Sequence, residues 1–559
     1  MSKFKGLKPE QLVLGCAGLI LLILVAFPLL LLLLKSFQGD SGFSFQNYLK
    51  ILENRKNYIT FFNTIKVGLA TTIFAVLIGS PLAWLVTRAN LPGAGFFRTF
   101  FVIPYIIPPF VGAIAWIQLL SGRIGYFNRL LQHLFGLNQP LVDIYSFGGL
   151  IWVMALHFYP YVFIITAGAL ERMDPTLEEA ARVAGAKTFR VMREITLPLV
   201  MPSIAGGALL AFAASIANFG IPALVGMPAR IYVLTTMIFS YMYTGGFSGI
   251  KAATALSVAL LLVATAALLL NDFYLKKRQY AIIAGKSMRP HTIELGRWKR
   301  PLFLAAVTIV LITVVAPVTI VILTSFLKAW GASLTWENFS LKNYRYILFE
   351  YDLTKHAFKN SFLLASAAAT FAMLLGVLIA YINVKTEVKG KKLLDILATL
   401  PYTIPGTVVA LAMILAWSGK YGINLYNTIW ILLVAYVARY ISFAVRTNSA
   451  ALEQIHPSLE EAARISGGSW LHSFRDVVLP LIRPGLVAGW FLIFMPCLTE
   501  LTISILLWGP KTVTIGVAVY EMQEAGFFQI SAALASLILL VTLGGNAIIR
   551  GVSRGKIGV

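Results

Sequence analysis

Charge is what this chain has least of. Only 12% of its 559 residues are Asp, Glu, Lys or Arg, where a soluble domain carries about 25%. Mean hydropathy is +0.80. A soluble globular protein is excluded. So is a soluble domain on one anchor, because the apolar runs are too numerous. Cysteine is nearly absent: Cys16 and Cys497 both lie in apolar runs. That rules out a disulfide framework and a CxxC metal site. Six histidines are scattered without ligand spacing, so no metal centre is expected. No Ser/His/Asp set, HExxH or recurring carboxylate pair stands at a usable spacing, so no catalytic residue is expected.

Acidic residues are scarce as well, 23 against 46 basic, for a net charge of +23. A nucleic-acid surface is one reading. The other is topological, because cytoplasmic loops of membrane proteins collect Lys and Arg. The distribution below favours topology, so lipid and not nucleic acid is the expected surrounding.

What is present is a series of apolar runs long enough to span a bilayer. The first six fall at 12–34, 61–86, 99–120, 147–170, 200–226 and 249–271. The second six fall at 301–325, 358–384, 396–418, 427–446, 485–509 and 527–549. The first run is long for a signal peptide and no small-residue cleavage site follows it, so it reads as a retained helix. The expected fold is all-α, with twelve transmembrane helices in two sets of six. Residues 1–271 form the first half, 272–300 a basic connector and 301–559 the second half.

The halves repeat each other in order. Pro28 and Ser36-Phe37 match Pro317 and Ser325-Phe326. Phe43-Ser44 and Asn47-Tyr48 match Phe339-Ser340 and Asn343-Tyr344. VIPYIIP (102–108) matches TLPYTIP (399–405), and LERMDPTLEEAAR (170–182) matches LEQIHPSLEEAAR (452–464). Six helices per half keep both copies in one orientation, so these are parallel repeats. With the N-terminus inside, the inside segments hold about 28 Lys and Arg against about 15 in the outside loops. The positive-inside rule then puts both termini in the cytoplasm.

One polar paragraph occurs twice on that inner side. EEAARVAGAKTFRVMREITLPLVMP (178–202) and EEAARISGGSWLHSFRDVVLPLIRP (460–484) align without a gap at a shift of 282, with 11 of 25 letters identical. Asp174-Pro175 and His456-Pro457 precede the two copies and suit a helix start. Glu178, Glu179, Glu460 and Glu461 then fall in the first turn, where carboxylates favour the positive end of the dipole. Ala180, Ala181, Ala462 and Ala463 leave a smooth helical face. Gly185 and Gly467 permit a sharp turn or a close approach by another backbone. Pro198 and Pro202, and likewise Pro480 and Pro484, are expected to mark the start of the next span. Any cytoplasmic loop can be helical and charged, but a loop without a partner has no reason to repeat its spacing. Two such helices on one face fit a two-fold partner.

These residues resemble the EAA motif of binding-protein-dependent ABC importer permeases. The pattern EAA-x3-G with a later LP-x3-P stands here as Glu179-Ala180-Ala181, Gly185, Leu197-Pro198 and Pro202. It returns as Glu461-Ala462-Ala463, Gly467, Leu479-Pro480 and Pro484. The resemblance covers nearly the whole chain. It implies the type I ABC importer permease fold, built as a pseudo-dimer in a bacterial inner membrane. It further implies two ATP-binding cassette ATPase subunits that grip the EAA helices and carry ATP and Mg. It also implies a soluble or lipid-anchored substrate-binding protein outside, and alternating access as the mechanism. The fused two-half form with CLTELTISILLWGP (497–510) is similar to the ferric-iron permeases, which makes iron(III) the implied cargo. Near relatives carry polyamines, thiamine, phosphonates or sulfate.

No cofactor is expected in the chain itself. AGKS (284–287) resembles the end of a phosphate-binding loop, but Tyr280 stands where the first glycine belongs and no buried strand precedes it. For the cargo path, polar residues inside apolar runs are the candidates. Glu500 pairs at the 282 shift with Asn218, and Arg439 with His157. The competing reading is an Arg439–Glu500 ion pair that only fastens two helices. Ser203/Gly207 and Gly485/Gly489 have the small-x3-small spacing of close helix packing. A secondary transporter would also show repeats, but would bind a coupling ion on broken helices and would not need twin cytoplasmic docking helices.

Overall fold

The computed structural model describes residues 9–39, 42–122, 124–277 and 292–552. AGKS (284–287) and most of the connector lie outside the described residues. The major helices form two matched sets. The first is α1 Glu10–Ser36, α2 Arg55–Arg88, α3 Ala94–Ile106, α4 Pro109–Leu120, α5 Phe147–Arg172, α6 Thr176–Val183, α7 Thr188–Ala217, α8 Leu234–Thr244 and α9 Gly246–Lys277. The second is α10 Gly296–Phe326, α11 Asp352–Lys385, α12 Lys391–Thr403, α13 Gly406–Trp417, α14 Ile429–Glu453, α15 Pro457–Ile465, α16 Leu471–Leu498, α17 Ile515–Glu524 and α18 Phe528–Val552.

Among the described residues, 10 helices are long and apolar enough to cross a membrane, or up to 12 if each bent pair counts as one span. The bent pairs are the third and ninth apolar runs. α3 and α4 meet at 99°, α12 and α13 at 114°. The cause is the second proline of each matched heptad. Pro108 and Pro405 force the residues before them, Ile107 and Ile404, into extended backbone. The chain then restarts a helix in a new direction.

Other prolines are absorbed instead of breaking the helix. A single wide π turn lies just before each of four matched prolines: Leu22–Ala26 before Pro28, Leu311–Val315 before Pro317, Met192–Thr196 before Pro198 and Phe474–Val478 before Pro480. Proline has no N–H and its ring crowds the carbonyl four residues back. A π turn shifts the hydrogen-bond register past that point. The expected start of a span at Pro198 and Pro480 is therefore corrected. α7 and α16 begin at Thr188 and Leu471 and run straight through those prolines.

Within each half, α2, α5 and α7, or α11, α14 and α16, pack as a triad. Glycine sets the closest approaches. A Cβ on Gly79 would lie 2.7 Å from the Tyr159 carbonyl oxygen, and one on Gly207 2.9 Å from the Val162 Cα. The halves then exchange their first helices. α1 packs on α11, α12 and α13 of the second half, and α10 packs on α3 and α4 of the first. Phe27 on α1 meets the edge of Trp417 on α13 at 5.8 Å, and Phe97 on α3 meets Phe303 on α10 at 5.6 Å.

The repeated Ser-Phe and Asn-Tyr pairs form a clip beyond each of these helices. The Asn47 amide donates to the Ser36 and Gln38 carbonyls at 3.0 and 3.1 Å. The Asn343 amide donates to the Ser325 and Leu327 carbonyls at 2.9 and 2.8 Å. These are helix-end carbonyls that would otherwise lack a donor. Tyr48 and Tyr344 reinforce them through the Ser36 and Ser325 hydroxyls at 2.6 and 2.7 Å.

Candidate functional site

The two EAA helices are α6 and α15. α6 starts after Asp174, whose carboxylate accepts from the main-chain N–H and the hydroxyl of Thr176 at 2.9 and 2.8 Å. Those bonds hold its carboxyl below the usual aspartate range. α15 is capped by His456, whose Nδ1 accepts from the Ser458 N–H at 3.3 Å. Both helices end alike. Gly185 and Gly467 sit at φ +86°, in the left-handed region. The next residues, Ala186 and Gly468, reach back to the Ala181 and Ala463 carbonyls at 2.9 and 3.0 Å. Of the two readings the sequence left open for these glycines, this is the sharp turn.

The helices bury one face and expose the other. Glu179, Ala180, Glu461 and Ala462 are exposed, whereas Glu178 and Glu460 are buried. Val183 is 90% exposed and Ile465 87%. Leu177 and Phe189 on the first copy, and Leu459 and Leu471 on the second, are matched apolar side chains that are exposed as well. Large apolar residues are thus left bare at equivalent places in both halves.

Sequence reading missed what the buried glutamates touch. Glu178 meets Arg88 at the end of α2, and Glu460 meets Lys385 at the end of α11. The signal was available: both helices are 34 residues long and both end in a basic residue.

A cavity of about 1120 Å³ lies between the halves. Its wall includes all four polar candidates, His157, Asn218, Arg439 and Glu500. Tyr105, Tyr161 and Tyr440 join them, with Gln454, Asn546 and several threonines among the apolar side chains. The cavity continues past Ile455 to Leu459 on α15, so it reaches the end of the molecule that carries the EAA helices.

Asn218 and Glu500 stand where α7 and α16 give way to short, irregular segments, well short of the expected run ends at 226 and 509. The Asn218 side-chain oxygen accepts from the Ile221 N–H at 3.0 Å, and Glu500 Oε1 accepts from the Ile503 N–H at 2.8 Å. Glu500 Oε2 takes the Tyr440 hydroxyl at 2.7 Å. Arg439 acts elsewhere. Its Nη1 donates to the Pro401 carbonyl at 2.7 Å and to the Ile404 carbonyl, at the bend between α12 and α13. Among the described residues no ion pair joins Arg439 to Glu500. The guanidinium serves the open carbonyl end of α12, where a cation suits the helix dipole. His157, its counterpart, lies against the Phe158 ring at 4.8 Å.

The chain is similar to several known proteins. The family model described as binding-protein-dependent transport system inner membrane component matches residues 75–278 and again 372–556. A putative ferric transport system permease protein of Haemophilus influenzae is 28% identical over 520 residues, covering 91% of this chain and 80% of the relative. A ferric transport system permease protein of Actinobacillus pleuropneumoniae is 26% identical, covering 97% of this chain and 78% of the relative. The molybdenum transport system permease protein of Escherichia coli is 34% identical over 206 residues, covering 36% of this chain and 86% of the relative. Among solved structures, a bacterial ABC transporter involved in import of the acidic polysaccharide alginate aligns with a TM-score of 0.37 and 20% identity. It covers 46% of this chain and 98% of its own.

Proposed function

The chain belongs to the family of binding-protein-dependent transport system inner membrane components, and on that premise we propose that it is the permease of an ATP-driven importer for iron(III). Two copies of an ATPase subunit, which hold ATP and Mg, grip α6 and α15. A substrate-binding protein delivers cargo on the opposite side. The observation that carries this reading is the duplicated bare face: Glu179 and Val183 on one helix, Glu461 and Ile465 on the other. The excess of Lys and Arg supports placing that face, and both termini, in the cytoplasm.

The cavity supports alternating access. It extends toward the EAA end, which in the proposed orientation supports a path that faces inward. Closure of the ATPase pair would draw the two EAA helices together and turn the path outward to the loaded binding protein. Hydrolysis would return it. Asn218, Glu500, His157 and Arg439 line that path. Iron as cargo rests on the ferric relatives, which match over nearly the whole chain.

The bent pairs favour a second reading, because secondary transporters bind coupling ions at broken helices. At the α12/α13 bend, however, Arg439 already occupies the Pro401 and Ile404 carbonyls. Reconstitution decides between the two. The complex with its ATPase subunits and binding protein is expected to accumulate ferric iron only with ATP. Uptake driven by an ion gradient without an ATPase would overturn the importer reading.

A further inference from the structure

The two glutamates of each EEAA run point in opposite directions. Glu179 and Glu461 face out. Glu178 and Glu460 turn inward and are 2% and 7% exposed. Glu178 Oε2 lies 3.7 Å from Arg88 Nη1, and its Oε1 accepts the Thr196 hydroxyl at 2.6 Å. Glu460 Oε1 lies 3.2 Å from Lys385 Nζ, and its Oε2 accepts the Tyr381 hydroxyl at 2.9 Å. Each cation also reaches a main-chain carbonyl just beyond the fourth spanning helix of its half. Arg88 Nη2 donates to Met173 at 3.4 Å and Lys385 Nζ to Ile455 at 2.7 Å.

These contacts are equivalent in the two halves. Met173 and Ile455 correspond at the shift of 282 that aligns the EAA runs. Arg88 and Lys385 correspond at the shift of 297 that aligns VIPYIIP with TLPYTIP. A three-way buried joint is thus built twice from different residues. The cation comes from the end of α2 or α11, the carbonyl from beyond α5 or α14, and the carboxylate from the EAA helix.

Stability alone does not call for such a joint. Desolvating both charges costs about as much as their attraction returns, and apolar replacements are often equally stable. An ion pair adds fixed register and direction instead. Direction matters for α6, a helix of 8 residues between two turns. Without a tether to the bundle it would pivot when pushed.

We propose that Glu178 and Glu460 are positioning residues for energy coupling: each locks its EAA helix to the end of α2 or α11, so that the short helix and that span move as one lever. This rests on the ATPase docking proposed above, with Glu179 and Glu461 left for the partner. The joints are not equal. Arg88 Nε and Nη1 make no hydrogen bond, whereas Lys385 is bonded to both carbonyl and carboxylate.

The test uses the full transporter with its ATPase subunits and loaded binding protein in proteoliposomes. Two double variants, Arg88→Met with Glu178→Gln and Lys385→Met with Glu460→Gln, remove both charges of a pair, so that neither partner is left behind as a lone ion. Each is expected to retain its ATPase subunits and basal hydrolysis. The stimulation of hydrolysis by binding protein is expected to fall about tenfold, within the usual range of coupling between distant sites. Lys385→Arg is expected to keep it. Unchanged stimulation in both double variants overturns the proposal. So does failure of both to assemble, which would make the joint a folding element. Normal ATPase co-purification of Glu179→Arg and Glu461→Arg would instead overturn the docking reading.

Discussion

Asn218 and Glu500 occupy the same turn in the two halves, and each uses a side-chain oxygen to hold the main-chain N–H three residues on. One is an amide and one a carboxyl, so the shared part of their role is the turn and the difference is the chemical group. Glu500 brings that carboxyl group to the wall of the cavity between the halves. Its second oxygen is bonded to Tyr440 and not to Arg439.

Glu500→Gln keeps an oxygen for the Ile503 N–H and is expected to assemble normally while lowering uptake. Glu500→Leu leaves that N–H without its acceptor and is expected to lose about 1–3 kcal/mol of stability. Thermal unfolding in detergent, set beside transport in proteoliposomes, separates the two effects. Equal melting of both variants would show that the turn does not depend on this oxygen.

Arg439→Met is expected to destabilise the α12/α13 bend by about 1.5–3 kcal/mol, the usual worth of hydrogen bonds from a charged donor. Proteolytic nicking near Pro405 would report the loosening. If Arg439 served only the cargo, uptake would fall with no change in nicking.

Gly207 and Gly489 are matched at the shift of 282, yet they face different obstacles. A methyl on Gly207 meets the Val162 backbone, whereas one on Gly489 meets the ends of the Met373 and Thr447 side chains. Gly207→Ala is therefore expected to cost more, about 1–3 kcal/mol for overpacking against a surface that does not yield. Gly489→Ala is expected to be nearly neutral, because methionine readapts. Paired melting curves measure the difference, and an equal loss would contradict it.

Charge reversal at Glu179 or Glu461 is expected to weaken ATPase co-purification without lowering the amount of permease in the membrane. The neighbours of the two helices differ. Lys187, Arg190 and Phe189 stand in the first half where Ser469, His472 and Leu471 stand in the second. Glu179→Arg and Glu461→Arg, made one at a time, are therefore expected to cost unequal amounts, which pull-down at graded salt would resolve.

Much of this was legible in the letters. The repeat was read without coordinates, and so were Gly185 and Gly467 as places for a turn or a close approach and the pairing of Asn218 with Glu500. Three things were not. A proline in an apolar run can kink, break or be absorbed, and hydropathy has no term for direction. Pro108 and Pro405 therefore bend the chain where Pro198 and Pro480 do not. The inward turn of Glu178 beside the outward turn of Glu179 depends on helical phase, which the bundle beneath α6 decides. The hydrogen bonds of Arg439 were not legible because its acceptors are main-chain carbonyls, which sequence never displays.

The exchange of first helices also has a consequence for synthesis. α1 is complete at Ser36, but the helix it covers does not begin until Gly406. At about 5–20 residues per second, a ribosome needs tens of seconds to bridge that gap. Throughout that interval α1 has only lipid beside the face meant for α13. A chain cut off after its first six spans would keep that face uncovered. Carrying both halves on one chain thus gives every newly inserted α1 its own partner, in cis and in equal number.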